Sequence, residues 1–158
     1  MGKGGESAIG ERMSNIWKVE DLLEDAFYAV ISAASISGLS LCRTYSETLP
    51  VLPYCAILAL SSDRLIEDAN YGTCENRKVV VSLKISAHSQ DYTRAQYSAL
   101  VSSVMDSVYV NDIISQLNAA VSGLTCQDIN FGKISRGISE DHTFETIVEI
   151  MVDCYPTT

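Results

Sequence analysis

The feature that most constrains this chain is a change of hydrophobic period at Gly38. Before it, Ile16, Val19, Leu22, Leu23, Ala26, Phe27, Val30, Ile31 and Ala34 recur in steps of three and four, which places them on one stripe of a helix. After it the step shortens to two, with Leu41, Arg43 and Tyr45 on one side and Cys42 and Thr44 on the other, the period of a strand. A chain with both periods must lay a helix stripe against a sheet face. Ser14 or Asn15 is placed to cap the helix, and Gly38 to stop it. Glu20, Asp21, Glu24 and Asp25 occupy the early turns, where the helix dipole favours negative charge. They read as a solvated face rather than a cation site.

The remaining elements follow from the same test. Leu49-Pro50-Val51-Leu52-Pro53 cannot pair as a central strand, because neither proline has a backbone donor. It predicts an extended arm leading into a strand at residues 54–60. Residues 61–76 are polar, and strand character resumes over 79–86, with Val79, Val81, Leu83 and Ile85 alternating against Ser82, Lys84 and Ser86. The two runs predict a long hairpin with an acidic, mobile tip. A second long helix is expected from about Asp91, buried through Tyr97, Leu100, Val101, Val104, Met105 and Val108. Asn111 or Asp112 starts a short helix through Leu117, and Val121-Ser122-Gly123 turns into a strand over 124–133. Gly132 and Gly137 are expected to flank a polar turn. The last segment sets Phe144, Thr146, Val148, Ile150, Val152 and Cys154 against Glu145, Ile147, Glu149, Met151 and Asp153.

This order predicts an α+β fold, with a mixed, mostly antiparallel sheet of four to five strands and two long helices on one face. Residues 1–14, Gly-rich and polar, are expected to be a flexible tail before a single domain at 15–158. A length of 158 residues with 47% hydrophobic content suffices for one core without metal or disulfide staples. No apolar run approaches the roughly 20 residues a membrane helix needs, and the first residues lack the hydrophobic stretch of a secretory signal. The five cysteines show no C-x-x-C pair and are expected as reduced, buried or half-buried thiols.

Charge narrows the function. The 20 acidic against 11 basic residues leave a formal net charge of -9, and only Arg77 and Lys78 are adjacent cations. Holding nucleic acid by its phosphates requires clustered Lys and Arg, so tight DNA binding is not expected. DNA passing an acidic wall without being bound is compatible with this balance. Catalytic motifs are missing. Gly38-Leu39-Ser40-Leu41 lacks the second glycine of a nucleophile elbow, and Gly2-Lys3-Gly4-Gly5 has no preceding strand. His88 with Asp91, and His142 with Asp141, could serve as general-base pairs but read as solvated turn groups. No metal site and no cofactor are expected. Trp17 is either core or an exposed anchor for a partner, and core is the reading taken.

The element order, the Leu49-Pro50-Val51-Leu52-Pro53-Tyr54 lead-in, the strand RKVVVSLKISAHS, the helix DYTRAQYSALVSSVMDSV, the short helix NDIISQLN and the closing TIVEIMVDCYP resemble the tail terminator, or tail completion, proteins of long-tailed bacteriophages, the minor tail protein U group among them. The resemblance spans roughly residues 15–156. It implies a structural virion subunit, made in the host cytoplasm, that forms a hexameric ring at the tail neck. The ring would cap the tail tube, join it to the head–tail connector and let DNA pass through its lumen, with no cofactor. Asp63, Glu67, Asp68 and Glu75 on the expected hairpin tip are the candidate lumen or partner-facing residues, with Glu140 and Asp141 behind them. Two other readings stand beside this one. One is a different head–tail joining protein of similar fold. The other is a small hot-dog-type thioesterase using Asp91 or His88.

Overall fold

The alternation of Val79, Val81, Leu83, Ile85 and Ala87 makes one strand the spine of the molecule, and all five side chains are buried. The computed structural model describes residues 17–44, 50–64 and 76–157. Among them the elements are α1 (Val19–Ala33), β1 (Ser40–Arg43), β2 (Tyr54–Arg64), β3 (Arg77–His88), α2 (Arg94–Val108), α3 (Ile113–Ala120), β4 (Leu124–Ile138) and β5 (Thr143–Pro156). The strands form one five-stranded sheet in the order β1-β2-β3-β5-β4. β1 runs parallel to β2, while β2–β3, β3–β5 and β5–β4 are antiparallel. The fold is α+β. The sheet is mixed, with a parallel junction at its edge, and the helices are not all long: α3, the short helix expected after Asn111 or Asp112, has eight residues.

The core lies between the helices and one face of this sheet. Leu83 stands between Ile57 on β2 and Val148 on β5, and Val81 pairs with Ile150. Leu23, Phe27 and Ile31 of α1 and Leu117 of α3 close over them, each almost fully buried. Fully burying one such side chain contributes about 1.5–3 kcal/mol, so this layer carries most of the hydrophobic stabilisation.

α1 is shorter than its sequence stripe. Its first residue is Val19, and Lys18 at the N-cap makes no side-chain capping bond. The expected caps Ser14 and Asn15 lie outside the described residues. Trp17 is 85% exposed, which corrects the core reading; it precedes the helix and so does not share the buried stripe. At the other end the chain reverses through positive φ at Ser35 (51°) and Gly38 (75°), and Gly38 adopts this left-handed backbone without a Cβ penalty.

The acidic face of α1 also departs from expectation. Glu24 is only 3% exposed, and its carboxylate accepts from the backbone N–H of Thr44 and of Ala59, both at 2.9 Å. β1 ends at Arg43, paired with Ile57. The carboxylate therefore takes donors just beyond the point where the parallel ladder stops. Glu20 accepts a hydrogen bond from Ser62 Oγ, which in turn accepts from Arg77 Nε at 3.0 Å. Between these two anchors β2 is bulged at Ala59–Ser61, and Leu60 is pushed out to 63% exposure.

β4 runs five residues further than predicted. Gly132 and Gly137 lie within it, because the hairpin to β5 turns only at Ser139–His142. There Thr143 pairs back to Ser139 through Ser139 N–H donating to Thr143 O at 2.9 Å.

Candidate functional site

The face of the sheet away from the helices is polar. Register places Asp63, Lys78, Asp153 and Asp128 in one row across β2, β3, β5 and β4. Lys84 meets Glu145 on the same face at 3.6 Å. Of the predicted partner-facing residues, Asp63 stands exposed on β2 within this acidic row. Glu67, Asp68 and Glu75 lie outside the described residues. Glu140 and Asp141 are exposed in the β4–β5 turn. There the Ser139 hydroxyl donates to Asp141, and that bond holds the Asp141 carboxyl below its ordinary range.

The sheet has two unlike lateral edges. On one side, β1 pairs with β2 only from Tyr54 to Ile57; among the described residues no strand pairs with that margin from Leu58 onward, and Glu24 caps it at Ala59. Asp21, Asp25, Tyr28, Leu41 and Arg43 line a depression of about 490 Å³ between α1 and β1. Arg43 pairs with Asp25 and lies 4.5 Å over the Tyr28 ring. On the other side, β4 is paired to β5 along one margin and, among the described residues, has no strand on the other. Its first turn is covered: Asn118 of α3 accepts from Cys126 N–H at 2.6 Å and donates to Cys126 O at 3.1 Å. Beyond that point the outer margin of β4 has no such cover among the described residues.

Here the helix side of β4 opens. Ile134, Arg136 and Ile138 pair with Val148, Thr146 and Phe144 of β5, so they share the face that elsewhere is core. The helices no longer cover them, and Ile134 and Ile138 are each 63% exposed. Together with Tyr97 and Val101 of α2 and Phe144, they line a groove of about 490 Å³ whose cations are Arg94 and Arg136. Neither arginine has an ion-pair partner among the described residues. The groove wall is fixed. The Tyr97 hydroxyl donates to Ile85 O at 2.6 Å and shares a hydrogen bond with Thr146 Oγ1 at 2.8 Å, and burial pushes its pKa up. Its ring packs 5.1 Å from that of Phe144.

Sequence reasoning missed this groove because it ended the strand at Lys133 and read Gly137 as a turn. The signal was Ile134-x-Arg136-x-Ile138, an alternation that continues the strand.

The groups named for catalysis sit in turns. His88 ends β3, its Nδ1 accepts from Gln90 N–H at 3.2 Å, and Asp91 is exposed. Among the described residues no group of three or more His, Cys, Asp or Glu could hold a metal ion. No helix of the described chain is long and apolar enough to cross a membrane. Burial pushes the Cys55 and Cys126 thiols up to about 12 and the Cys154 thiol higher still. These thiols are therefore poor nucleophiles.

Geometry of this kind defines a class: a one-sheet α+β fold, helices on one side, with a polar face and, among the described residues, unlike lateral edges. A chain of the solved structure described as the virion of a native gene transfer agent particle has this fold. It superposes with a TM-score of 0.54 over 84% of this chain and 93% of that chain, at 11% sequence identity. No protein-family model and no curated protein matches the sequence.

Proposed function

We propose that this chain is a structural virion subunit that works by assembling with copies of itself. In this reading the copies close a hexameric ring that ends the tail tube of a long-tailed phage and joins it to the head–tail connector. The observation that carries the reading is a sheet with two unlike open edges, in a fold shared with a chain from a virion particle. Unlike edges favour head-to-tail contact, and head-to-tail contacts that close by rotation make rings. Once the edges meet, the helix layer and the polar sheet face become opposite walls. Asp63, Asp128 and Asp153 lie on the polar face, and Glu67, Asp68 and Glu75 are assigned to the same lumen. An acidic wall repels phosphate and lets DNA pass without holding it.

Light scattering coupled to size exclusion, with negative-stain imaging, tests this directly. Rings are the expected result, in isolation or on purified tail tubes. A protein that stays monomeric at all concentrations, and adds to neither tubes nor connectors, refutes it.

A further inference from the structure

We infer that Cys126 and Cys154 form a cross-strand thiol pair that closes to a disulfide in an oxidising medium and staples β4 to β5 beneath the helix layer. The two are register partners. Both face the core, Cys126 at 3% and Cys154 at 0% exposure. This chemistry does not rest on the ring reading.

The backbone gives the type of pair. Antiparallel partners alternate between pairs that exchange both backbone hydrogen bonds and pairs that exchange none. Thr157 N–H donates to Gly123 O at 2.8 Å, which sets the alternation at this end of the hairpin. Counting inward, Leu124–Pro156 is a non-bonded pair, as a proline without an N–H requires, Thr125–Tyr155 is bonded and Cys126–Cys154 is non-bonded. Asn118 supports the same count: it takes both the N–H and the carbonyl of Cys126 on the outer margin, so neither is turned to β5. Side chains of a non-bonded pair stand closest, with Cα atoms about 4.5 Å apart. That spacing falls inside the window of roughly 4.4–6.8 Å that a disulfide spans.

Cys42 and Cys55 are not placed this way. Cys42 partners Ala56, and Cys55 partners Leu41. Register partners share a face while successive residues alternate, so these two thiols point to opposite sides of the sheet. Cys74 lies outside the described residues.

The step is a pair of exchanges with a small-molecule disulfide such as oxidised glutathione. One cysteine thiolate attacks it, forms a mixed disulfide and releases one small thiol. The other thiolate then attacks the protein sulfur of that mixed disulfide, and the second small thiol leaves. One Sγ–Sγ bond forms, one small-molecule S–S bond breaks, and two electrons and two protons pass from the cysteines to the small molecule. Burial raises both thiols, to about 12 at Cys126, and keeps the closed dithiol inert. The exchange therefore runs in chains whose helix layer is open, during folding or by local opening. The pair is a dithiol in a reducing compartment and a staple in an oxidising one.

The test refolds the reduced, full-length protein from urea in a mixture of reduced and oxidised glutathione at mildly alkaline pH. Mass spectrometry is expected to show the loss of two hydrogens, and a non-reducing digest to map the linkage to Cys126 and Cys154. Circular dichroism should match that of the reduced protein. The unfolding equilibrium constant should fall about a hundredfold, read from the urea midpoint. Cys126→Ala and Cys154→Ala should each abolish the linkage. A wild-type protein that keeps every thiol free or carries only glutathione adducts overturns the inference. So does a linkage through Cys42, Cys55 or Cys74, or an oxidised product without the native spectrum. The wild-type map decides even where an alanine variant fails to fold.

Discussion

The near and far halves of β4–β5 teach different things although they are one continuous hairpin. In the near half, Leu124, Cys126, Ile150, Val152 and Cys154 are buried beneath the helices, and Asn118 covers the strand margin. In the far half the same alternation continues, but Ile134 and Ile138 face solvent. Strand length exceeds what the helices can cover. Natural sheets protect long apolar margins with charge, with bulges or with a partner. Here a bulge lies between Phe131 and Ile134 and one arginine stands between the isoleucines, and the margin is otherwise open. The difference separates residues that hold the fold together from residues left on its surface.

The sharpest way to break this comparison is truncation on both sides of it. Phe27→Ala or Leu83→Ala should cost about 3–5 kcal/mol, read as a lower urea midpoint at unchanged slope. Ile138→Ala should stay within about 0.5 kcal/mol. Equal losses at the two sites would mean that the far half is core after all.

The two acids of α1 sharpen the same contrast. Glu24→Ala leaves the Thr44 and Ala59 N–H groups without their acceptor and should cost about 2–3 kcal/mol. Asp25→Ala breaks a half-exposed pair with Arg43 and should cost less than about 1 kcal/mol. A denaturation series on both variants separates them.

The buried thiols give a pH signature. Raised pKa values favour the protonated thiol in the folded state, so their contribution is intact below the ordinary value of 9 and is lost as pH rises from 9 toward about 12 at Cys55 and Cys126. Stability should fall by on the order of 1 kcal/mol per thiol by pH 10. Thiol reagents at pH 8 should leave both unlabelled until the protein unfolds. The smallest effect belongs to Asp141. Its carboxyl is held low by the Ser139 hydroxyl, so the turn keeps this bond down to pH values below the usual carboxylate range. Side-chain NMR titration is expected to place its midpoint below the ordinary aspartate value.

Much of the fold was legible because period alone decides it. The stripe from Val19 to Ile31, the alternation of Val79 to Ala87 and that of Thr146 to Cys154 all match buried faces. Less legible were features set by partners distant in sequence. Glu24 sits among three other acids and looks solvated, and only the end of the β1–β2 ladder makes it buried. The start of α2 was readable but missed: Thr93 and Gln96 form a capping box, which puts the helix at Arg94 and not Asp91. The groove was half-readable from the isoleucines. Its exposure was not, since the sequence does not state how far the helices reach.

The strand order has a consequence in time. β4 and β5 are joined by a turn of four residues, Ser139–His142, so they can zip locally within microseconds. β5 must then reach β3, whose last residue His88 pairs with Thr143 across the whole α2–α3–β4 segment. Closing that loop is the costly event, because non-local pairing forfeits chain entropy before any contact repays it. Until the hairpin docks, the apolar side chains of β3 have no neighbour on that side. The nascent chain thus exposes one open margin of its central strand until β5 closes it.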